Sequence, residues 1–317
     1  MGIQAVRHSR QPVVELQASS GRSVSITSTC FCVMAIVLDK QHLPHLLATL
    51  KNIQSAYQIR GELLSKLHSV ITDYDFIVDR WPDYTALVVR ADPATAKHPV
   101  FLGNRTHVYT TDRDALEVML QQPGVVQWSD KTAFSCLGAD VLSTVTNVIC
   151  QNDRTYDLDS YVVMKVTKDT LKLRNISKGY TMTSLHPEDA YHVNTRWSYN
   201  DGGHSETYIR DLISKQPSRC LYNDEGSLIG YALRLQNGTL GFLYVLEEHR
   251  GKGYAKVIMS HLASLCLQQM EEVYVHVHRN NIASICVHKN IGFHCPSNLG
   301  PLWWIQSQGS TSRRSIV

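Results

Sequence analysis

Leu243-Tyr-Val-Leu-Glu-Glu-His-Arg-Gly-Lys-Gly-Tyr-Ala255 decides the fold. An apolar run, residues 240–246, enters it. A basic turn with Gly251 and Gly253 fills its middle, and Ile258, Leu262 and Leu265 follow at the i, i+4, i+7 spacing of a helix. The glycines let the backbone turn tightly and bring its N–H groups close to a ligand. A helix's first turn leaves N–H donors unpaired, and its dipole favours an anion there. Arg250, Lys252 and Lys256 add positive charge at the same end. Strand, glycine turn and helix in that order form a phosphate-holding geometry; the plainer reading is an ordinary strand-to-helix connection with a solvated basic tip. Neither G-x-G-x-x-G nor G-x-x-x-x-G-K-[ST] occurs here, so a dinucleotide fold or P-loop is not supported.

The chain has 317 residues, enough for two domains of ordinary size. Its 43% apolar and 19% charged residues are those of a globular protein, and a net charge of +3 argues for no nucleic-acid partner. Eight cysteines lack C-x-x-C spacing, and several sit inside apolar patterns, which fits reduced thiols better than a disulfide framework. The apolar stretch 30–38 is too short to span a bilayer, so no membrane partner is expected. Residues 1–33 stand apart: Arg7, Arg10 and Arg22 face a single acid, Glu15, amid frequent Ser and Thr. That composition fits a mitochondrial transit peptide and equally a disordered extension upstream of a true start near Met34. Mitochondrial location follows from the first reading and cytoplasmic location from the second.

Beyond Met34, Leu43, Leu46, Leu47 and Leu50 mark a helix face, as do Leu63, Leu64 and Leu67. Residues 76–90 read as two strands around a Trp81-Pro82-Asp83 turn. Asp112 is placed to cap a helix over 113–121. Residues 131–150 read as helix, 161–166 as strand, and the polar stretch 167–178 as a boundary. Val273, Val275 and Val277 alternate with polar and aromatic residues in a strand, Asn281 heads a last helix, Phe293 begins a closing strand, and Trp303-Trp304 lie in a final one. The expected domains are 34–166 and 178–306, with 307–317 as a loose tail.

Arg250-x-x-Gly253-x-Ala255 after Leu243-x-Val245 resembles the acyl-CoA pyrophosphate signature of the GNAT acyltransferase superfamily, and Asn281-x-x-Ser284 through His288 to Gly292-Phe293 resembles its second signature. Val78-Asp79-Arg80-Trp81-Pro82-Asp83-Tyr84, Trp197, and Glu248-His249-Arg250-x-Lys252-Gly253-Tyr254 further resemble the glycine N-acyltransferase family. The likeness covers nearly the whole chain after Met34. It implies an α/β (α+β) fold: a GNAT domain with a mixed central sheet and two splayed parallel strands, preceded by a smaller GNAT-like α/β domain. It also implies acyl-CoA as co-substrate, no permanently bound cofactor, and a small amino-acid acceptor such as glycine or glutamine. Backbone groups of Leu243 and Val245 would pair with pantetheine amides. Arg250, Gly251, Lys252, Gly253, Tyr254 and Ala255 would hold the pyrophosphate. Asn281 and Ser284 would contact the far side of pantetheine.

Amide formation requires the attacking amine to lose a proton, and a positioned carboxylate can accept it. Glu248 aligns with the family carboxylate before the turn; Glu247 stands where relatives usually have proline. If the strand continues, the two point to opposite faces and one reaches the thioester. The bland reading is that Glu248 balances Arg250 and Lys252. His288 takes the place of a tyrosine that many GNAT enzymes use to protonate the leaving thiolate; it is equally read as a helix-surface residue. His276, His278, His288 and His294 lack the converging Cys or acidic ligands of a zinc site, so no metal is expected. Trp81 and Trp303-Trp304 fit packing better than an acyl box. An amino-acid carboxylate calls for an Arg, a Lys or a backbone nest, and Arg196, Arg210, Arg234 and Arg279 are the arginine candidates. The competing functions are a GNAT acetyltransferase acting on another amine or protein, and an inactive acyl-CoA-binding module.

Overall fold

The structure, a computed structural model, describes residues 34–92, 105–128, 131–201 and 203–309. The extension 1–33, with its reading as a transit peptide, lies outside the described residues. Strand β1 (Ile36–Val37) leads to helices α1 (Leu43–Leu50) and α2 (Tyr57–Leu67). Strands β2 (Tyr74–Val78), β3 (Ala86–Ala91) and β4 (Arg105–Thr110) precede α3 (Arg113–Gln121), β5 (Lys131–Leu137) and α4 (Ala139–Gln151). The long β6 (Arg154–Thr167) leads through residues 168–179 to β7 (Tyr180–Thr183), α5 (Ala190–Thr195) and α6 (Gly203–Lys215). Then come β8 (Ser218–Asn223), β9 (Leu228–Arg234), β10 (Leu240–Val245), α7 (Tyr254–Cys266), β11 (Glu272–His278), α8 (Ile282–Asn290) and β12 (Leu302–Gly309).

Local chemistry explains several boundaries. The Asp112 carboxylate accepts from Asp114 and Ala115 N–H and starts α3 as the sequence predicts. Between β2 and β3, Asp79 accepts from the main chain of Thr85 and Ala86 and from the Thr85 hydroxyl, closing the Trp81-Pro82 turn. Three expectations are corrected. Residues 131–137 are a strand, not helix, because Thr132, Phe134, Ser135 and Leu137 are all buried and no polar face announces the pleat. Phe293 starts no strand; a lone bridge between Lys165 and His294 is all that forms there. The final strand runs to Gly309, so residues 307–309 are part of the sheet rather than tail, and 310–317 lie outside the described residues.

The strands form one mixed sheet in the order β1-β2-β3-β4-β5-β12-β6-β11-β10-β9-β8-β7. The chain's last strand sits in the middle. β12 runs antiparallel to β5 on one side and to β6 on the other. β6 is long because it serves two partners: residues 154–161 pair with β12, and residues 161–167 pair with β11. Side chains alternate across the sheet. On one face, Phe76, Val78, Leu87, Val89, Tyr231 and Leu233 pack with α1, α2, α5 and α6. On the other, Ile77, Val88, Phe134 and Ile305 pack under α3 and α4, while Val273, Val275 and Val277 pack under α7.

Candidate active site

The parallel pair β10 and β11 meets at one rung, Leu240 opposite Val275, and then parts. Its cause is a break in β10: the register against β9 shifts between Gly241 and Tyr244, and Phe242 takes a φ of 52°. Beyond the bulge, Leu246 N–H donates to Ile229 C=O at 3.0 Å. Strand alternation therefore turns the main chain of Tyr244 towards β9 and that of Leu243 and Val245 towards the gap. Residues 241–244 are half-buried, although they lie deep within the sheet. A ligand with alternating amide donors and acceptors could take the place of the missing ladder.

The glycine turn closes one end of this gap. Gly251 and Gly253 have φ of 78° and 89°, left-handed values that side chains resist, and Gly253 is the residue from which α7 springs. Arg250 Nε donates to Val245 C=O at 3.1 Å, its Nη1 reaches Glu247 at 3.2 Å, and its guanidinium lies 5.4 Å from the Tyr244 ring centroid. Lys252 Nζ donates to Glu248 C=O at 3.3 Å. The Tyr254 hydroxyl meets that of Tyr180 at 2.5 Å, and half-buried Ala255 packs on the core under α7. Residues 250–255 thus form a turn at a helix start, where the first N–H groups lack helical partners and suit an anion.

β10 does not continue through the acids. Residues 247–249 form a 3₁₀ turn, so Glu247 and Glu248 do not alternate across a strand. The Glu248 side chain is 65% exposed, 3.9 Å from His249 Nε2, on the turn that heads the helix. It stands beside the anion cradle, away from the rung where β10 and β11 part. Asn281 caps α8 by accepting from Ser284 N–H at 3.0 Å, so the two residues read as pantetheine contacts meet each other at the start of that helix. His288 is not a surface residue. It is 3% exposed, edge-on to Phe293, with Nδ1 2.7 Å from Ser284 C=O and Nε2 buried with no partner among the described residues. Burial pulls its pKa down to about 4, outweighing the hydrogen bond to Ser284. At neutral pH Nδ1 carries the proton to Ser284, and Nε2 has none to give a thiolate.

Sequence reasoning missed the polar groups on the face opposite α7. Tyr274 and His276 of β11 point there, and α2 covers them. The Tyr57 ring stacks on Tyr274 at 4.1 Å, and its hydroxyl shares a hydrogen with His276 Nε2. Burial, then the charge of Arg105, lowers the His276 pKa to about 4, so its ring is neutral at pH 7 although its side chain is only half-buried. Farther along α2, Glu62 is fully buried. Burial pushes its pKa up to about 8 against the opposing pull of Arg105 and of a 3.3 Å hydrogen bond from Gln236. His107 Nε2 comes within 3.6 Å of Glu62, but burial holds His107 down at about 3, so the two meet as neutral groups rather than an ion pair. Gly61 fixes this packing, since a Cβ there would lie 1.8 Å from Asn237 C=O. The strict alternation of β11 was the sequence signal that could have put Tyr274 and His276 on one face.

Residues 34–217 match the family of aralkyl acyl-CoA:amino acid N-acyltransferases, and residues 220–298 match the FR47-like family. Bovine glycine N-acyltransferase is 22% identical over 250 residues, 73% of this chain and 85% of that protein. Human glycine N-acyltransferase-like protein 2 is 23% identical over 285 residues, 83% and 95% of the two chains. Among solved structures, a Drosophila protein superposes with a TM-score of 0.71 at 16% identity, over 86% of this chain and 98% of that one. A tandem GNAT protein from the clavulanic acid pathway gives 0.54 at 14% identity, over 87% and 98%. With the parted strands, the glycine turn and a family match over more than half its length, the chain belongs to the aralkyl acyl-CoA:amino acid N-acyltransferases and is an acyltransferase built on the GNAT fold.

Proposed function

We propose that the protein joins the acyl group of an acyl-CoA to the amine of glycine or a related amino acid such as glutamine. The carrying observation is the gap that opens after the single Leu240–Val275 rung, with the glycine turn at its end. Pantetheine lies in that gap against Leu243 and Val245, its diphosphate on residues 250–255. The amine nitrogen attacks the thioester carbonyl from the opposite face, the C–S bond breaks, and CoA leaves as thiolate. The nitrogen gives up a proton as the amide forms. Relatives named glycine N-acyltransferase support the amino-acid acceptor.

Two groups compete for that proton. Glu248 is the carboxylate that the resemblance offers, but it is solvated and sits at the diphosphate end. His276 favours the second reading: it lies on β11 one residue past the last shared rung, neutral, and linked to Tyr57. A proton taken by either member of that pair can pass to the other. We assign the step to His276. The test is thiol release from benzoyl- and acetyl-CoA against glycine, glutamine and phenylalanine. His276→Asn is expected to lower kcat about 100-fold or more, as loss of a general base does, while Glu248→Gln changes it little. A severe loss in Glu248→Gln with His276→Asn unaffected would return the role to Glu248. No release from any pair despite CoA binding would leave an acyl-CoA-binding module.

A further inference from the structure

We propose that Phe242 selects the acyl group, its ring forming the wall on which an aromatic acyl chain lies. This rests on the reading that pantetheine fills the gap between β10 and β11, and it names what the thioester end meets. The diphosphate cradle lies at residues 250–255, so the thioester points towards the closed end of the gap, the Leu240–Val275 rung. Phe242 stands two residues past that rung on β10, and His276 stands one residue past it on β11.

An unbroken strand would not present this ring. Side chains two apart share a face, so Phe242 would join Leu240 in the core under α7. The bulge prevents it. Phe242 takes the left-handed φ of 52°, which a bulky side chain resists, and its ring packs instead with the cluster on the α5 and α6 side. Strain of this kind persists where the surroundings hold it and gathers at binding sites. Its effect here is to move one aromatic ring across the sheet, onto the face that carries His276. The α7 face of the gap is closed by Val245, Val275, Val277, Ile258 and Leu262, all buried. An acyl group leaving the gap therefore turns to the Phe242 side.

That side is aromatic. The Trp197 ring meets Phe242 at 4.8 Å and Tyr199 at 6.0 Å. The turn that carries Trp197 and Tyr199, between α5 and α6, is tied by Trp197 N–H donating to Asn194 C=O at 3.0 Å and by the Asn200 side chain donating to Trp197 C=O at 2.6 Å. Phe242 and Trp197 are half-buried and Tyr199 is exposed, so the row runs from the gap outward to solvent. Tyr244, the other ring on this lip, belongs to the diphosphate side: it stacks on Tyr231 and lies under Arg250. A flat aryl group gains ring-on-ring contact with Phe242, whereas an acetyl group is too short to reach it. Glycine, with a carboxylate and no side chain, suits such a wall poorly, so the occupant is the acyl chain.

Phe242→Gly removes the ring and keeps a residue that adopts this φ readily. With glycine as acceptor, the unmodified protein is expected to use benzoyl-CoA with a kcat/KM about 10- to 100-fold above acetyl-CoA, the range that apolar contacts of this size give. Phe242→Gly should lower that ratio about 10-fold, chiefly through benzoyl-CoA, with the glycine KM unchanged, and Phe242→Tyr should restore most of it. Calorimetry should find benzoyl-CoA bound about 3- to 10-fold more tightly than acetyl-CoA by the unmodified protein, and the two bound equally by Phe242→Gly. An unchanged ratio in Phe242→Gly overturns the proposal. A shift in the glycine-to-phenylalanine preference in its place also does, by giving the wall to the acceptor. So does an unmodified protein that binds the two thioesters equally, a comparison that needs no variant to fold. Preferential binding that is lost in Phe242→Gly, without turnover of any pair, would keep the wall and sink the transfer reading alone.

Discussion

Glu62 is a carboxylate where carboxylates rarely go, fully buried and flanked by Tyr74, Gln236 and His107. Its folded pKa of about 8 stands above the ordinary glutamate value of 4.5. Between those values the folded chain keeps a proton that the unfolded chain has lost. Its contribution to stability is therefore fully present below pH 4.5 and falls away as pH rises through 8. Glu62→Gln keeps the shape and removes the titration. Its stability relative to the parent should improve from pH 5 to pH 8 by roughly 3–5 kcal/mol, measured by denaturant unfolding at each pH. A pH-independent difference would mean that Glu62 is ionised in the folded chain. None of this was legible in the sequence, where Glu62 reads as one polar residue on a helix; its burial comes from α2 lying against Asn237, some 170 residues later.

At the scale of elements, legibility followed periodicity. β11 alternates cleanly because one face meets α7 and the other meets Tyr57 and α2, and its reading stood. β5 was misread because both of its faces are buried and carry Thr and Ser as well as Phe and Leu. The turn after β10 was legible from two glycines, but the 3₁₀ step that carries Glu248 was not, since Leu-Glu-Glu-His reads equally well as strand. α8 offers the clearest test. His288 is held neutral, with a folded pKa of about 4 against 6.5, so the unfolded chain binds the extra proton between those values. The stability it contributes is present above pH 6.5 and lost as pH falls towards 4. His288→Leu should therefore flatten the acid limb of the stability profile by about 3 kcal/mol between pH 6.5 and 4, read from urea midpoints. His107 and His276 retain their own share of that limb, so the slope shrinks without vanishing. An acid limb unchanged in the variant would show that His288 is already charged or solvated.

On the scale of the whole molecule, the decisive feature is where the last strand goes. β12 fills the space between β5 and β6, and Ile305 is fully buried among Phe134, Val145 and Ile149 in the core beneath α3 and α4. The sequence marked Trp303-Trp304 as a strand but carried no signal for its neighbours, because strand pairing at this separation leaves no local pattern. The same lack hid the Arg105–Trp304 contact, which unites residues 105 and 304 only through that pairing. Since the C-terminal strand completes the core of the first half, Ile305→Ala should cost about 2–5 kcal/mol and shift one cooperative transition. Two separate transitions, with only one moved, would show that the halves unfold independently. The site crosses the join as well, for the gap between β10 and β11 belongs to the second half and Tyr57, on α2 of the first half, meets His276 of β11. The most direct measurement is a mass balance on isotope-labelled glycine and benzoyl-CoA, following free CoA thiol and labelled N-acylglycine together from the first turnover. Direct attack predicts one labelled product for each thiol, and no thiol or acylated protein before glycine is added. Thiol released ahead of glycine, or without the labelled amide, would contradict it.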